Sequence, residues 1–340
     1  MVRPLALLPK AHLHLHFTGS MRPATLVALA GKHGLRLPES LTRSWPPTLS
    51  ATDERGWFRF QRLYEAARAC VRDEADMRRI VAEAAQDDAA EGSRWLEIQV
   101  DPTSYAPFVG GITPALEIIL DEARSVSDQA RVGVAVVVAA NRIRHPLDAR
   151  ILARLAARHA GDGAGQVVGF GLSNDERRGT TAEFGPAFDI ARRVGLACVP
   201  HGGELLGADA VRETLAALGP DRLGHGIRSA EDPRVLAEVV RRGVTLEVCP
   251  GSNVALGVYA GAGDVPLRQL MAAGAQIALG ADDPLLFGSR LSAQYEAARA
   301  VHGLCDAELA ELARSSVRGS RAPAPARSQM LADIDRWLAG

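Results

Sequence analysis

Cysteine is scarce in this sequence, and its few copies are far apart. Four cysteines occur in 340 residues, and no two of them form a Cys-x-x-Cys pair. This count and spacing argue against a disulfide framework and against a thiolate zinc finger. We therefore expect a reduced, cytoplasmic environment for the chain.

Long apolar runs and an excess of one charge are also missing. No stretch reaches the ~18 consecutive apolar residues of a membrane span, and residues 1–10 lack the apolar core of an export signal. The net charge of −1 offers no basic field for nucleic acid or for an anionic membrane. We therefore expect a small molecule as the partner, with neither nucleic acid nor membrane.

The chain does have enough apolar sequence for one large core, since apolar residues make up 47% of it. Short apolar segments alternate with helix-like stretches, as is typical of parallel strands covered on both faces. There are eight such segments, at residues 12–16, 95–100, 132–139, 166–172, 196–200, 222–224, 244–249 and 276–280. This pattern predicts a (β/α)8 TIM barrel, with a doubly wound sheet as the alternative.

Two helical segments fall outside this alternation. Residues 20–93 are too long for a plain connection between strands 1 and 2, and we interpret them as a helical insertion over the mouth of the barrel, with Ser20 capping its first helix. Residues 302–340 are predicted to be a helical C-terminal extension, broken near Pro323. We expect residues 1–340 to form a single barrel domain.

The first predicted strand carries three histidines that alternate with leucines. Side chains along a strand alternate between its two faces, so His12, His14 and His16 share one face while Leu13 and Leu15 share the other. Such a strand is buried on both sides, and its imidazoles line a site. Two imidazoles two residues apart can bind one metal ion, and the alternative is a pair of hydrogen-bonded core histidines.

Polar residues also follow three later strands, at the ends where an α/β barrel carries its functional groups. They lie in the segments PHGGE (200–204), LGHG (223–226) and LGADDP (279–284). A catalytic zinc ion needs nitrogen and oxygen ligands and one open position for water. One ion per chain would be bound by His14, His16, His201 and Asp282.

Three further residues of these segments are candidates for acting on water and substrate. Glu204 would carry a proton beside the metal, and His225, between two glycines, would orient or deprotonate the water. Asp283 is free to accept a hydrogen bond from the substrate. Each segment alone is compatible with a glycine-rich turn or a helix cap. Their coincidence at four strand ends favours a catalytic site.

These segments resemble the adenosine deaminase family of the amidohydrolase superfamily. The matching pieces run from residue 9 to residue 287 and are PKAHLHLHFTGS, VGFGLSNDE, PHGGE, RLGHG, LEVCPGSN and GADDPL. The resemblance implies a zinc-dependent deaminase that converts a purine nucleoside such as adenosine or deoxyadenosine to its 6-oxo product and ammonia. It makes the four residues above the zinc ligands, Glu204 the proton donor to purine N1, His225 the residue that activates water, and Asp283 a hydrogen-bond partner of N7.

Four positions depart from the pattern of that family. Thr18 stands where an acidic residue is frequent, which removes a partner for a sugar hydroxyl, and Asn174 stands where glycine is common. His12 replaces a usual glutamate, and Gln99 a frequent arginine. We expect Thr18, Asn174 and Gly171 to contact the substrate.

The substrate itself stays open at this point. The missing acidic group at Thr18, together with Arg177 and Arg178, favours an adenosine derivative with a carboxylate-bearing 5′ extension, such as 6-amino-6-deoxyfutalosine. Adenosine or deoxyadenosine remains the first expectation, and free adenine is a further alternative. A non-deaminating amidohydrolase and a non-catalytic nucleoside-binding relative are less favoured, because strand 4 lacks a metal-bridging lysine and the set of ligands is full.

Overall fold

Eight parallel strands, in the order of the sequence, form the sheet of the computed structural model, which describes residues 3–129 and 131–340. The strands β1 to β8 are Lys10–His16, Ser93–Val100, Gly133–Asn141, Val167–Ser173, Ala197–Gly202, Arg222–His225, Thr245–Val248 and Ile277–Leu279. The eight predicted strands and the (β/α)8 barrel are thereby confirmed.

The barrel closes where β8 meets β1. A parallel bridge joins Leu15 to Asp282, three residues after the end of β8. The His16 N–H donates to the Asp282 carbonyl at 3.0 Å, and the Asp282 N–H donates to the His14 carbonyl at 3.0 Å. The residue that completes the wall is therefore bonded to the strand that carries the histidines.

Helices connect and cover the strands. Within the described ranges the α-helices α1 to α15 are Pro23–Lys32, Glu54–Arg68, Glu74–Ala90, Ala106–Val109, Ile112–Gln129, Pro146–Arg158, Gly185–Arg193, Ala208–Leu218, Pro233–Arg242, Pro250–Ala255, Leu267–Ala272, Pro284–Phe287, Leu291–Ala300, Asp306–Gly319 and Ala324–Ala339. None of the helices described is long and apolar enough to cross a membrane.

The core has two layers, which the alternation along β3 illustrates. Val134, Val136 and Val138 belong to the apolar cluster that includes residues of α5 and α6, whereas Ala135 and Val137 face the barrel interior beside Glu97 and Gln99, their register partners on β2. All five β3 side chains are buried. Burial on both faces is the reason that the strands read as continuous apolar runs.

The segment between β1 and β2 folds as α1, α2 and α3. The Asp53 carboxylate caps α2 by accepting from the Gly56 N–H at 2.6 Å. The prediction for Ser20 was wrong, because its hydroxyl donates to the Phe17 carbonyl and α1 begins instead at Pro23, whose fixed φ suits a first helical turn.

The C-terminal helices α14 and α15 lie at the amino end of the barrel. The Ala11 N–H donates to the Ser316 hydroxyl at 3.0 Å, and the Arg321 N–H donates to a Glu97 carboxylate oxygen at 2.6 Å. Residues 316–321 therefore form the floor of the barrel, opposite the polar strand ends.

Candidate active site

The four side chains predicted as metal ligands meet at the carboxyl ends of β1, β5 and β8. The ring centroid of His14 lies 5.2 Å from that of His16 and 4.8 Å from that of His201. One Asp282 carboxylate oxygen is 3.3 Å from His16 Nε2 and 3.6 Å from His14 Nε2. The structure thus places three imidazoles and one carboxylate around a common point.

Several polar atoms of this cluster lack hydrogen-bond partners. Among the described residues, His14 Nε2 and both ring nitrogens of His225 are buried without a partner. The other nitrogen of His14, Nδ1, lies 2.8 Å from Glu247 Oε2, which leaves Nε2 facing the cluster. Convergent nitrogen and oxygen lone pairs are what a zinc ion requires, so the residues present fit one metal ion.

The carboxylates of Asp282 and Glu247 favour a positive charge at the centre of the cluster. Burial lowers the pKa of His14, but its contacts with Asp282 and Glu247 raise it to about 10. Burial raises the pKa of Asp282, yet the neighbouring histidines hold it well below its usual range. Two carboxylates therefore stabilise a proton on His14 in the metal-free chain, and a bound metal ion would replace that proton.

Glu204 and Asp283 flank the cluster as carboxyl groups that resist ionisation. Burial, and then the charge of Asp282, raise the pKa of both groups well above the usual range. Glu204 Oε2 lies 3.9 Å from His201 Nδ1 and 3.6 Å from His225 Nε2. A carboxyl group with a raised pKa favours its protonated form, which donates a hydrogen bond, and the contact expected between Asp283 and the substrate stays a prediction.

His225 is a neutral imidazole in this environment, because burial lowers its pKa to about 3. Its backbone φ of 64° is left-handed, as are those of Asp282 and Asn174 at 62° and 84°. Within the described chain these are the three non-glycine residues with positive φ, and all three were predicted as site residues. Backbone strain of this kind is characteristic of functional sites.

A cavity of about 60 Å³ opens above the cluster. One side is formed by strand-end residues, including Asn174, Glu204 and Asp283. The other side is formed by α2, through Trp57, Phe60, Gln61, Tyr64 and Arg68. These α2 residues were not predicted, although their spacing of three or four residues marks one helix face.

Two of the predicted substrate contacts are placed differently from the cavity. The Thr18 hydroxyl lies 2.5 Å from the Tyr105 hydroxyl, beside a smaller side cavity. Gly171 lies within β4 and does not line the cavity. An added Cβ at this position would be 3.1 Å from the Val199 carbonyl oxygen. A structural requirement for close strand packing therefore explains Gly171 without a substrate contact.

The arginines predicted to bind an anionic substituent already face carboxylates. Arg177 Nε donates to Asp175 at 2.8 Å, and the Arg177 side chain is not part of the cavity wall. Arg178, with its side chain 57% exposed, lies 3.4 Å from a Glu54 oxygen in an outer groove. These pairings weaken the charge argument for an anionic extension, and substrate binding by Arg177 and Arg178 stays a prediction.

His12 and Glu247 support the cluster from two sides, and the prediction that His12 shares one face with His14 and His16 was wrong, because a register shift in β1 turns the His12 ring toward α3. His12 Nε2 accepts from the Ala281 N–H at 3.1 Å, and its Nδ1 lies 3.0 Å from Asp88, so His12 joins β1 to the residue before Asp282. Glu247, which contacts His14, also accepts from Arg222 Nε at 2.6 Å. Glu247 was missed as a functional residue, although the strand alternation of its segment points it into the barrel.

Comparisons with known proteins agree with this geometry. The adenosine deaminase family model matches residues 9–337. A putative adenosine/adenine deaminase of Streptomyces coelicolor is 63% identical over 99% of this chain and 98% of its own length. The aminodeoxyfutalosine deaminase of the same organism is 32% identical over 98% of this chain and 86% of its own length.

A solved structure extends the likeness to three dimensions. The adenine deaminase of Arthrobacter aurescens has a TM-score of 0.88 to this chain at 28% identity, covering 98% of this chain and 99% of that chain. The chain therefore belongs to the adenosine deaminase family of metal-dependent hydrolytic deaminases.

Proposed function

We propose that this chain is a zinc-dependent deaminase that converts adenosine to inosine and ammonia. The observation that carries the proposal is the cluster of His14, His16, His201 and Asp282, with the unpaired Nε2 of His14 beside the buried carboxyl groups of Glu204 and Asp283. A zinc ion held by these four residues would lower the pKa of bound water to about 7 and so supply a nucleophile at neutral pH.

The side chains around the cluster divide the proton transfers among themselves. Purine N1 and N7 are both acceptors, so each needs a donor. Glu204 would donate to N1, which lets the ring lose aromaticity at C6, and Asp283 would donate to N7. His225, neutral and with free ring nitrogens, would accept a proton from the water and hold the water in place. When the bond between C6 and the amine breaks, that proton would pass to the amine, which leaves as ammonia, and the C6 hydroxyl would return its proton to Glu204 to give the 6-oxo product.

The space outside the cavity bears on whether the substrate is a nucleoside or the free base. The inner cavity over the cluster adjoins an outer groove of about 630 Å³, which shares Trp57, Gln61 and Asn174 with it. This groove has room for a ribose, which favours a nucleoside. Free adenine is the second candidate, supported by the likeness to the Arthrobacter adenine deaminase.

A carboxylate-bearing extension is less favoured on two grounds. Arg177 and Arg178 already face carboxylates, and the chain is far more similar to one Streptomyces coelicolor protein than to the aminodeoxyfutalosine deaminase of that organism.

A competition assay tests the proposal. Zinc-loaded protein is incubated with equal amounts of adenine, adenosine, deoxyadenosine and 6-amino-6-deoxyfutalosine, and mass spectrometry follows which amine is replaced by oxygen fastest. We expect adenosine or deoxyadenosine to be consumed first. Fastest loss of adenine would establish the second candidate, and fastest loss of the futalosine derivative, or no turnover by the zinc-loaded protein, would contradict the proposal.

A further inference from the structure

The carboxylate of Glu176 has no part in these proton transfers and lies directly behind residues 203–206, the loop that carries Glu204. Glu176 ends the segment VGFGLSNDE, and its side chain is buried. Its two carboxylate oxygens accept from four successive backbone N–H groups. The donors are Gly203, Glu204, Leu205 and Leu206, at 2.5, 3.1, 2.9 and 2.9 Å.

Four successive N–H groups that converge on one point form an anion-binding nest. The loop can take this shape because Gly203 has a φ of +72°, and a Cβ there would lie 2.4 Å from a Val211 methyl group. In this chain the anion is a side chain from the neighbouring strand end. A buried carboxylate needs several donors, and the four amides supply them.

The nest lies between two residues of the candidate active site. It begins two residues after His201 and includes the backbone N–H of Glu204. On the other side, Arg142 Nη2 donates to the His201 carbonyl at 3.3 Å, and Arg142 Nη1 donates to the Thr181 hydroxyl at 3.0 Å. The backbone from His201 to residue 206 is thus held from both sides.

We infer that Glu176 is a positioning residue for the deamination. Its carboxylate fixes the loop of residues 203–206, so that the Glu204 carboxyl group stays over the cavity next to His201 and His225. This inference rests on the proposed function. A displacement of about 1 Å at a reacting group can cost on the order of 100-fold in rate, which makes such a support kinetically visible.

The test compares Glu176→Gln with wild type. Glutamine keeps the length of the side chain but turns an NH2 group toward backbone N–H donors, so the nest loses part of its anchor. We expect kcat to fall about 10- to 100-fold while KM for the substrate stays within about threefold, with one zinc ion still bound. Glu183→Gln, which removes an exposed carboxylate seven residues further on, is the matched control and should leave kcat unchanged.

A rescue experiment separates positioning from a general loss of structure. Glu176→Ala leaves the nest empty, and added formate should raise its kcat in a concentration-dependent way. Formate should have no effect on Glu176→Gln, where the amide still fills the nest. If Glu176→Ala does not fold, Glu176→Asp takes its place, and its kcat should lie between those of wild type and Glu176→Gln.

Amide hydrogen exchange gives a readout that does not depend on turnover. In Glu176→Gln, residues 203–206 should exchange faster than in wild type, while residues 280–283 should be unchanged. Equal kcat and equal exchange in wild type and Glu176→Gln would overturn the inference. A wild-type protein without turnover would overturn the proposed function instead, and the exchange measurement would still decide whether Glu176 holds the loop.

Discussion

Two neighbouring residues, Asp282 and Asp283, have pKa values that are shifted in opposite directions. Asp282 lies against the imidazoles of His14 and His16, and these contacts lower its pKa. Burial, and then the charge of Asp282, raise the pKa of Asp283 well above the usual range. Carboxyl groups whose environments push their pKa values apart mark acid and base roles, and here the group with the lowered pKa faces the proposed metal ligands while both line the cavity.

Glu204, the proposed proton donor, is the residue whose loss should affect chemistry most directly. Glu204→Gln keeps the shape of the side chain but cannot deliver a proton to N1. We expect kcat to fall about 100- to 10,000-fold, with one zinc ion per chain retained by elemental analysis. A variant that lost its zinc, or kept its kcat, would contradict the role proposed for Glu204.

A second single-residue prediction concerns stability and lies far from the cavity. The ammonium group of Lys10 is buried in β1 and donates to the carbonyls of Leu5 and Glu91 at 3.1 and 2.6 Å. Burial lowers its pKa from 10.5 to about 7. Between these values the unfolded chain binds a proton at Lys10 that the folded chain does not, so the free energy of unfolding rises with pH.

Comparison with Lys10→Met isolates this effect from other titrating groups. From pH 6 to pH 9, the free energy of unfolding of wild type should rise by about 2 to 3 kcal/mol relative to the variant. Urea unfolding at both pH values measures it. A difference that does not change with pH would show that Lys10 keeps its proton in the folded chain.

At the level of elements, α2 is the part of the site that sequence reasoning did not identify. The strand-end residues could be predicted because parallel strands of a barrel bring their carboxyl ends to one rim. No such rule states which helix of an insertion faces the rim, because that depends on packing. Here the packing includes Phe60 of α2 stacked on Phe287 of α12, with ring centroids 5.8 Å apart.

The same limit applies to the arginines and to Gly171. The sequence identified Arg177 and Arg178 as cations near a strand end, but not the carboxylates that pair with them. It marked Gly171 by position in a motif, whereas the structure explains it by strand packing. A role that follows from one residue type at a strand end was therefore easier to predict than a role that depends on which side chains lie close in the folded chain.

Gln61 of α2 tests whether the helix binds the sugar or the base. Its side chain lines both the cavity and the outer groove. Because Gln61 has no acid or base role, Gln61→Ala should raise KM for adenosine about 3- to 10-fold and leave kcat within about twofold. Arg62→Ala, one residue on and exposed, is the control. An equal rise of KM for adenine would place Gln61 beside the base instead.

For the molecule as a whole, the metal site coincides with the closing seam of the barrel. The proposed ligands lie on β1, at the end of β5 and after β8, so an ion bound to them would link the first strand to the last. An ion that binds only the folded chain stabilises it by about 2.7 kcal/mol at 100 times its Kd.

Removal of the metal should therefore lower the Tm. We expect chelator treatment to reduce Tm by about 4 °C and added zinc to restore it, as followed by calorimetry. His16→Gln should abolish the response to zinc, whereas His302→Gln, outside the cluster, should keep it. A Tm indifferent to zinc in wild type would contradict the four-ligand site.

The floor of the barrel is made from residues that are synthesised late, so the candidate active site can be completed only after them. Arg222 donates both to the Gly319 carbonyl, at 2.9 Å, and to Glu247, which in turn orients His14. During synthesis His14 and His16 leave the ribosome about 300 residues before the segment 316–321. A growing chain thus holds two of the proposed ligands long before it holds the support that orients His14. We therefore expect full metal affinity only after residues 316–321 have been synthesised and have docked beneath the first strand.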